Sequence, residues 1–279
     1  MYKTILVHVD GSPQQDSRLR AAALLANEHE AHLVGSAVTG FSWRSYALLA
    51  GSMGGGMLTE DFEALRRTAG AQLEQFKEQA ARLGVQSLEA RLFEEEARYA
   101  LLLQSRYADL VVVSQDSAPD AAPATPVPDL PEHLALRGAR PVLVVPDNYR
   151  GQPLAGSVVI GWDGSMQSIR AIQAALPLLQ RAATVKLALV NPHELSELHG
   201  EEPGADMAVY LARQGVPVDV VVERTAVGAG EVLLTLARDS GAGLIVAGAY
   251  GHSRVREWAL GGVTRDLLEC ASIPVLLAH

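Results

Sequence analysis

The chain has 279 residues, 48% of them hydrophobic, with 32 Asp and Glu against 23 Lys and Arg and a formal net charge of −9 with neutral histidines. That length allows two domains of common size, each with a sizeable core, and the acidic balance argues against general nucleic-acid binding, which draws on basic surface. No apolar run approaches the roughly 20 residues that span a bilayer, and the first strand pattern starts without a signal-peptide layout, so the expectation is a cytoplasmic protein that binds neither membrane nor nucleic acid.

The chain opens on Ile5-Leu6-Val7-His8-Val9-Asp10-Gly11-Ser12, an apolar strand run ending in a turn, with Asp10 expected to make turn hydrogen bonds. Ser12-Pro13-Gln14-Gln15 has the form of a capping box with proline at the first helical position, which makes Ser12 a helix cap rather than a nucleophile. Further short Val, Ile and Leu runs place strands at 3–9, 32–38, 86–92, 109–114 and 141–145, separated by longer helical patterns. The insertion 40–57, rich in aromatic residues, Met and Gly, follows the second strand; it suits a lid or a protein contact surface, with a disordered loop as the alternative. Residues 66–82 read as a long surface helix. After Ser114 the chain runs into prolines at 123, 126, 128 and 131. Proline has no N–H to offer, so this segment cannot build a backbone anion nest, and the first half is expected to be structural or to serve another ligand.

A polar seam, Asp147 to Pro153, precedes a second copy. Val158-Val159-Ile160-Gly161-Trp162-Asp163-Gly164-Ser165 repeats the opening in outline, and Ala242 to Ala247 and Ile273 to Leu277 repeat Ala108 to Val113 and Arg140 to Val145. Strands are expected at 157–162, 185–190, 217–223, 243–247 and 274–278. The reading is α/β: two tandem, doubly wound, five-stranded parallel sheets of flavodoxin size, divided as 1–147 and 154–279. The two similar units are expected to pack as an intrachain pseudo-dimer, with a homodimer left open. In such sheets a ligand belongs at the carboxyl ends of the strands where the winding reverses, between the first and fourth.

Two features of the second copy converge there. Asp163 ends its first strand, and Gly248-Ala249-Tyr250-Gly251, followed by Gly261-Gly262-Val263-Thr264, comes after its fourth. Glycines between a buried strand and a helix start let backbone N–H groups close around phosphates. Arg254, Arg256, Arg265 and His252 add local positive charge, and the N-terminus of the last helix favours an anion. His252 beside Ser253 finds no carboxylate at a triad spacing. Gly228-Ala229-Gly230 is a tight turn or a second anion site. Val255, Trp258 and Leu260 read as the apolar side of a short helix. Cys270, the single cysteine, is expected to be a buried structural thiol.

These motifs resemble the universal stress protein family in its tandem form: the strand-Asp-Gly-Ser opening of both halves, the five-strand alternation, and a Gly-x2-Gly-x9-Gly loop matched by Gly248, Gly251 and Gly261. The resemblance implies the sheet order 3-2-1-4-5 of the adenine nucleotide alpha hydrolase-like architecture and pairing of the halves through 141–145 and 274–278. It also implies ATP as ligand, alone or with Mg²⁺. Asp163, beside Gly164 and Ser165, would then lie on the adenine and ribose side, with the backbone of Val190 lining the base. Gly251, His252, Ser253, Gly261, Gly262 and Val263 would surround the phosphates, with Arg254 and Thr264 nearby. The sequence departs from the family at Gly262, which stands where Ser or Thr is usual. A missing charge-assisted hydrogen bond is worth on the order of 1.5–3 kcal/mol, or roughly tenfold or more in affinity.

Three functions compete: a stress-response module whose ATP occupancy alters conformation or the choice of protein partner, a nucleotide-free interaction module acting through dimer surfaces, and a slow ATP hydrolase. The last is disfavoured, because the chain has no Gly-x4-Gly-Lys-Ser/Thr loop and no paired carboxylates at a recognisable metal spacing.

Overall fold

The computed structural model describes residues 1–52, 58–116, 127–192, 202–250 and 262–279. Two compact units divide the chain: Met1–Leu134 with Gly138–Arg140, and Ala135–Arg137 with Pro141–His279.

The first unit holds β1 (Thr4–Val9), β2 (His32–Val38), β3 (Leu88–Phe93) and β4 (Leu110–Ser114). All are parallel, in the order β3-β2-β1-β4. β1 and β4 are buried almost throughout, which is why their sequences read as continuous apolar runs rather than alternating ones. The covering helices are α1 (Gln15–His29), α2 (Trp43–Ser52), α3 (Leu58–Arg82), α4 (Ala97–Ser105) and α5 (Leu130–Arg137). α3 seats on the sheet through Phe76, which is fully buried. A Cβ at Gly35 of β2 would collide with that ring, so the glycine makes room for an aromatic side chain whose burial contributes about 2–3 kcal/mol.

The second unit holds β5 (Val142–Val145), β6 (Ser157–Gly161), β7 (Thr184–Val190), β8 (Val218–Glu223), β9 (Leu244–Gly248) and β10 (Val275–Ala278). Its parallel core runs β8-β7-β6-β9-β10, the expected 3-2-1-4-5 order within the repeat. β5 joins it as an antiparallel strand on β10, pairing Val144 with Val275 and Val142 with Leu277. The final strand of the first repeat is thus part of the second unit. Around this sheet lie α6 (Met166–Leu179), α7 (Ala205–Arg213), α8 (Ala229–Asp239) and α9 (Gly262–Cys270).

Three local expectations need correction. α1 begins at Gln15 with no side-chain cap, because Gln15 Oε1 accepts from the Asp10 and Gly11 amides and the Ser12 hydroxyl donates to Asp10; Ser12 does not cap the helix. Segment 40–57 is a helix over Trp43–Ser52. The Trp43 ring meets Phe62 of α3 edge-on at 5.1 Å, and Tyr46 packs 5.5 Å from the same ring. Cys270 is exposed at the end of α9, because the residue buried from that helix's last turns is Leu267. Residues 53–57 of the insertion lie outside the described residues.

Candidate functional site

In the second unit the strand register brings Asp163, Val190 and Gly248 to one end of the sheet. Gly161 of β6 pairs with Ala188 of β7 and Ala247 of β9, so the residues just beyond them leave three adjacent strands at their carboxyl ends. Asp163 there closes a turn in which its Oδ1 accepts from the Ser165 amide (3.0 Å) and the Ser165 hydroxyl (2.6 Å). Ser165 caps α6 by accepting from the Ser168 amide at 3.2 Å, and Gly164 between them carries a φ of +76°, a conformation natural to glycine. A capped helix start at the end of a parallel strand presents amide dipoles to that corner.

Gly248 has a packing role as well. A Cβ on it would lie 2.6 Å from the Ser168 amide nitrogen and 2.9 Å from the Gln167 Cβ, so its lack of a side chain lets α6 come down onto the end of β9. Gly262, at the first position of α9, is exposed, and an added Cβ would meet nothing within 4 Å. Val263 is half-buried and Thr264 buried. The Thr264 hydroxyl accepts from the Tyr250 amide at 3.1 Å, which ties the start of α9 to the turn after β9. Gly251, His252, Ser253, Arg254 and Gly261, with Val255, Trp258 and Leu260, lie outside the described residues.

Two residues given no role in the sequence reading, Tyr250 and Asn191, shape this corner. Tyr250 has φ +56°, uncommon for an aromatic residue, and nothing in the sequence marks it. Ala249 before it is fixed from both sides: its amide donates to the Ala278 carbonyl, and its carbonyl meets His279 Nδ1 at 2.8 Å. Asn191, with φ +49°, follows Val190; its side chain donates to the Thr225 carbonyl and accepts from the Thr225 amide. An Asn directly after an apolar strand run is a readable turn signal.

The matching corner of the first unit is filled from within. Arg18 of α1 is 1% exposed. Its guanidinium donates to the Ser114 hydroxyl at the end of β4 (2.8 Å) and to Asp10 Oδ1 at the end of β1 (2.5 Å). Gln72 of α3 donates to the Asp10 carbonyl. His8 Nδ1 lies 3.7 Å from Asp10 Oδ2. Burial works to raise the Asp10 pKa, but Arg18, His8 and the Ser12 amide overcome it and bring the carboxyl down to about 2. Burial is the largest influence on His8 and holds its pKa at about 4. One repeat later, Ala171 and Gly248 stand where Arg18 and Ser114 do, so those two side-chain partners of the first corner are not repeated at the matching positions of the second.

Gly228 and Gly230 do not form an anion cradle. Gly228 is the residue before α8, and a Cβ on Gly230 would collide with Asp266 of α9. The Asp266 carboxyl therefore already occupies the space beside that helix start, with its pKa raised by burial and by Glu269 and Glu231.

Residues 156–279 match the family model described as the Universal stress protein family. A curated relative, Universal stress protein Slr1230 of Synechocystis sp., is 28% identical over 145 residues, which cover 49% of this chain and 46% of that protein. The chain therefore spans about half the length of the curated relative it matches. Among solved structures, a universal stress protein from Archaeoglobus fulgidus DSM 4304 superposes with a TM-score of 0.70 at 14% identity, covering 99% of this chain and 95% of that one. A functionally unknown protein from Pseudomonas aeruginosa PAO1 gives 0.63 at 17% identity, covering 99% and 92%. At those identities the likeness is one of fold.

Proposed function

Residues 156–279 match the model of the Universal stress protein family, and from that likeness we propose that the chain is a member of this family and that its second half, 154–279, is a nucleotide-binding regulatory domain. Its ligand is ATP, alone or with Mg²⁺, and its occupancy alters conformation or the choice of protein partner in a stress response. The first half, 1–147, is a partner domain without a nucleotide site. The protein is cytoplasmic and acts as a binding module rather than an enzyme.

The observation that carries this reading is the contrast between the two matching corners. In the first, Arg18 bridges Asp10 and Ser114 and takes up the space between the ends of β1 and β4. In the second, Ala171 replaces that arginine. Asp163, Val190, Gly248 and the start of α9 come to the corresponding strand ends, where helix N-termini favour an anion. In the proposed complex Asp163, Gly164 and Ser165 border the adenine and ribose, and the Val190 backbone lines the base. Gly251, His252, Ser253, Arg254, Gly261, Gly262, Val263 and Thr264 surround the phosphates.

Mass spectrometry of the protein purified under native conditions is expected to detect co-purified ATP or ADP, and calorimetry with Mg-ATP to give saturable heat. Gly251→Val should abolish that heat while the fold survives. A second reading, a nucleotide-free interaction module, draws on Gly262, which brings no hydroxyl, and on Thr264, whose hydroxyl accepts from Tyr250. Flat calorimetry up to millimolar Mg-ATP, with no co-purified nucleotide, would establish that reading instead.

A further inference from the structure

At the opposite, amino-terminal end of the second unit's sheet lies a cavity of about 470 Å³. Its walls come from the last turns of α8, the segments leading into β9 and β10, and residues 148–157. Pro153, Leu234, Ala237, Ile273 and Pro274 make it predominantly apolar. The volume falls within the range of about 300–1,000 Å³ typical of small-molecule sites. Gly243 holds this shape: a Cβ there would strike the Pro153 carbonyl, so only glycine lets the linking segment lie against the start of β9.

We propose that this cavity binds a small monoanion with an apolar body, an aliphatic or aromatic carboxylate, whose charged end is held by Arg238. Among the described lining residues Arg238 alone carries a formal charge at neutral pH, and no described carboxylate pairs with it. A cationic ligand would need carbonyl oxygens, but those at the end of α8 are already used. The Leu236 carbonyl accepts from the Ser240 hydroxyl at 2.6 Å, Ala237 from the Ala242 amide and Arg238 from the Gly241 amide. The apolar walls select the hydrocarbon part and the guanidinium selects the charge, as a charge-assisted pair does at an otherwise apolar site. This site is independent of the nucleotide reading, being at the other end of the strands.

Octanoate and its neutral counterpart octanamide are the probes, followed by amide chemical shifts of the ¹⁵N-labelled full chain. Octanoate should give saturable shifts centred on Gly241, Ala242, Gly243 and Ile273, with octanamide weaker by at least about tenfold. Arg238→Gln, at an exposed position, should keep the fold and erase that preference. Gly156→Phe should compete with the probe, since an added Cβ there meets nothing within 4 Å and the backbone φ suits any residue. ATP should leave the octanoate shifts unchanged, so the two sites stand or fall separately. Absence of saturable shifts at those amides, equal binding of octanamide, or unchanged preference in Arg238→Gln would overturn the proposal.

Discussion

The Arg18 guanidinium rests on the Asp10 carboxylate with both side chains almost wholly shielded from water, and one repeat later Ala171 and Asp163 occupy the same two places in the sequence. The charge pair that Arg18 makes with Asp10 in the first unit therefore has no counterpart from position 171 in the second.

Breaking that pair from one side should be costly. Arg18→Ala leaves a buried carboxylate without its partner and is expected to lower stability by about 3–5 kcal/mol. Arg18→Met combined with Asp10→Asn, which removes both charges and keeps the volume, should recover much of the loss. Urea unfolding of the single and double variants measures both.

Stability should fall in acid within a defined window. His8 is kept neutral in the fold with a pKa of about 4 against an ordinary 6.5, so the unfolded chain takes up a proton that the folded one refuses. Its contribution is whole above about pH 6.5 and is lost, to the extent of about 3 kcal/mol, as the pH falls towards 4. Asp10, lowered from 3.8 to about 2, contributes above 3.8 and ceases to as the pH drops through 2. The urea midpoint should hold steady from pH 7 to 8 and decline between 6.5 and 4, and His8→Gln should flatten that decline.

Gly248→Ala should cost about 1–3 kcal/mol through overpacking, because its methyl group meets the backbone of α6, a rigid neighbour. A melting temperature unchanged from the parent protein would contradict the close approach of α6 to β9.

Gly262→Ser tests the family's missing hydroxyl. The position is open and begins a helix, so stability should move by no more than about 0.5 kcal/mol, while Mg-ATP should bind roughly tenfold tighter. Calorimetry of the two proteins side by side reads the difference.

Thr264→Val removes the hydroxyl that accepts from the Tyr250 amide, at a buried position. A loss of about 1–3 kcal/mol is expected, with weaker nucleotide binding, and Thr264→Ser should restore both.

Strand positions were legible to within a residue or two because parallel strands buried on both faces keep long runs of Val, Ile and Leu, as Leu110–Ser114 and Leu244–Gly248 show. The helix at Trp43–Ser52 was not. Its support comes from Phe62, an aromatic partner in the following helix, and its own Gly and Ser content reads locally as loop. At the candidate site Asp163 and Gly248 stood out by type and spacing, yet the pressure on Gly248 comes from α6, far away in sequence. Tyr250 gave no signal, since its left-handed backbone is held by Thr264 and by Ala249's bonds to the chain end rather than by any preference of its own. Arg18 read as one more charge on an amphipathic helix; only the folded chain puts Ser114 and Asp10 within its reach.

Because β5 pairs antiparallel with β10, the strand that closes the first sequence repeat is built into the second unit's sheet. Severing the chain in the 147–153 seam would strip a strand from the second sheet and bare its row of unpaired amides and carbonyls, a surface that invites another chain to add itself.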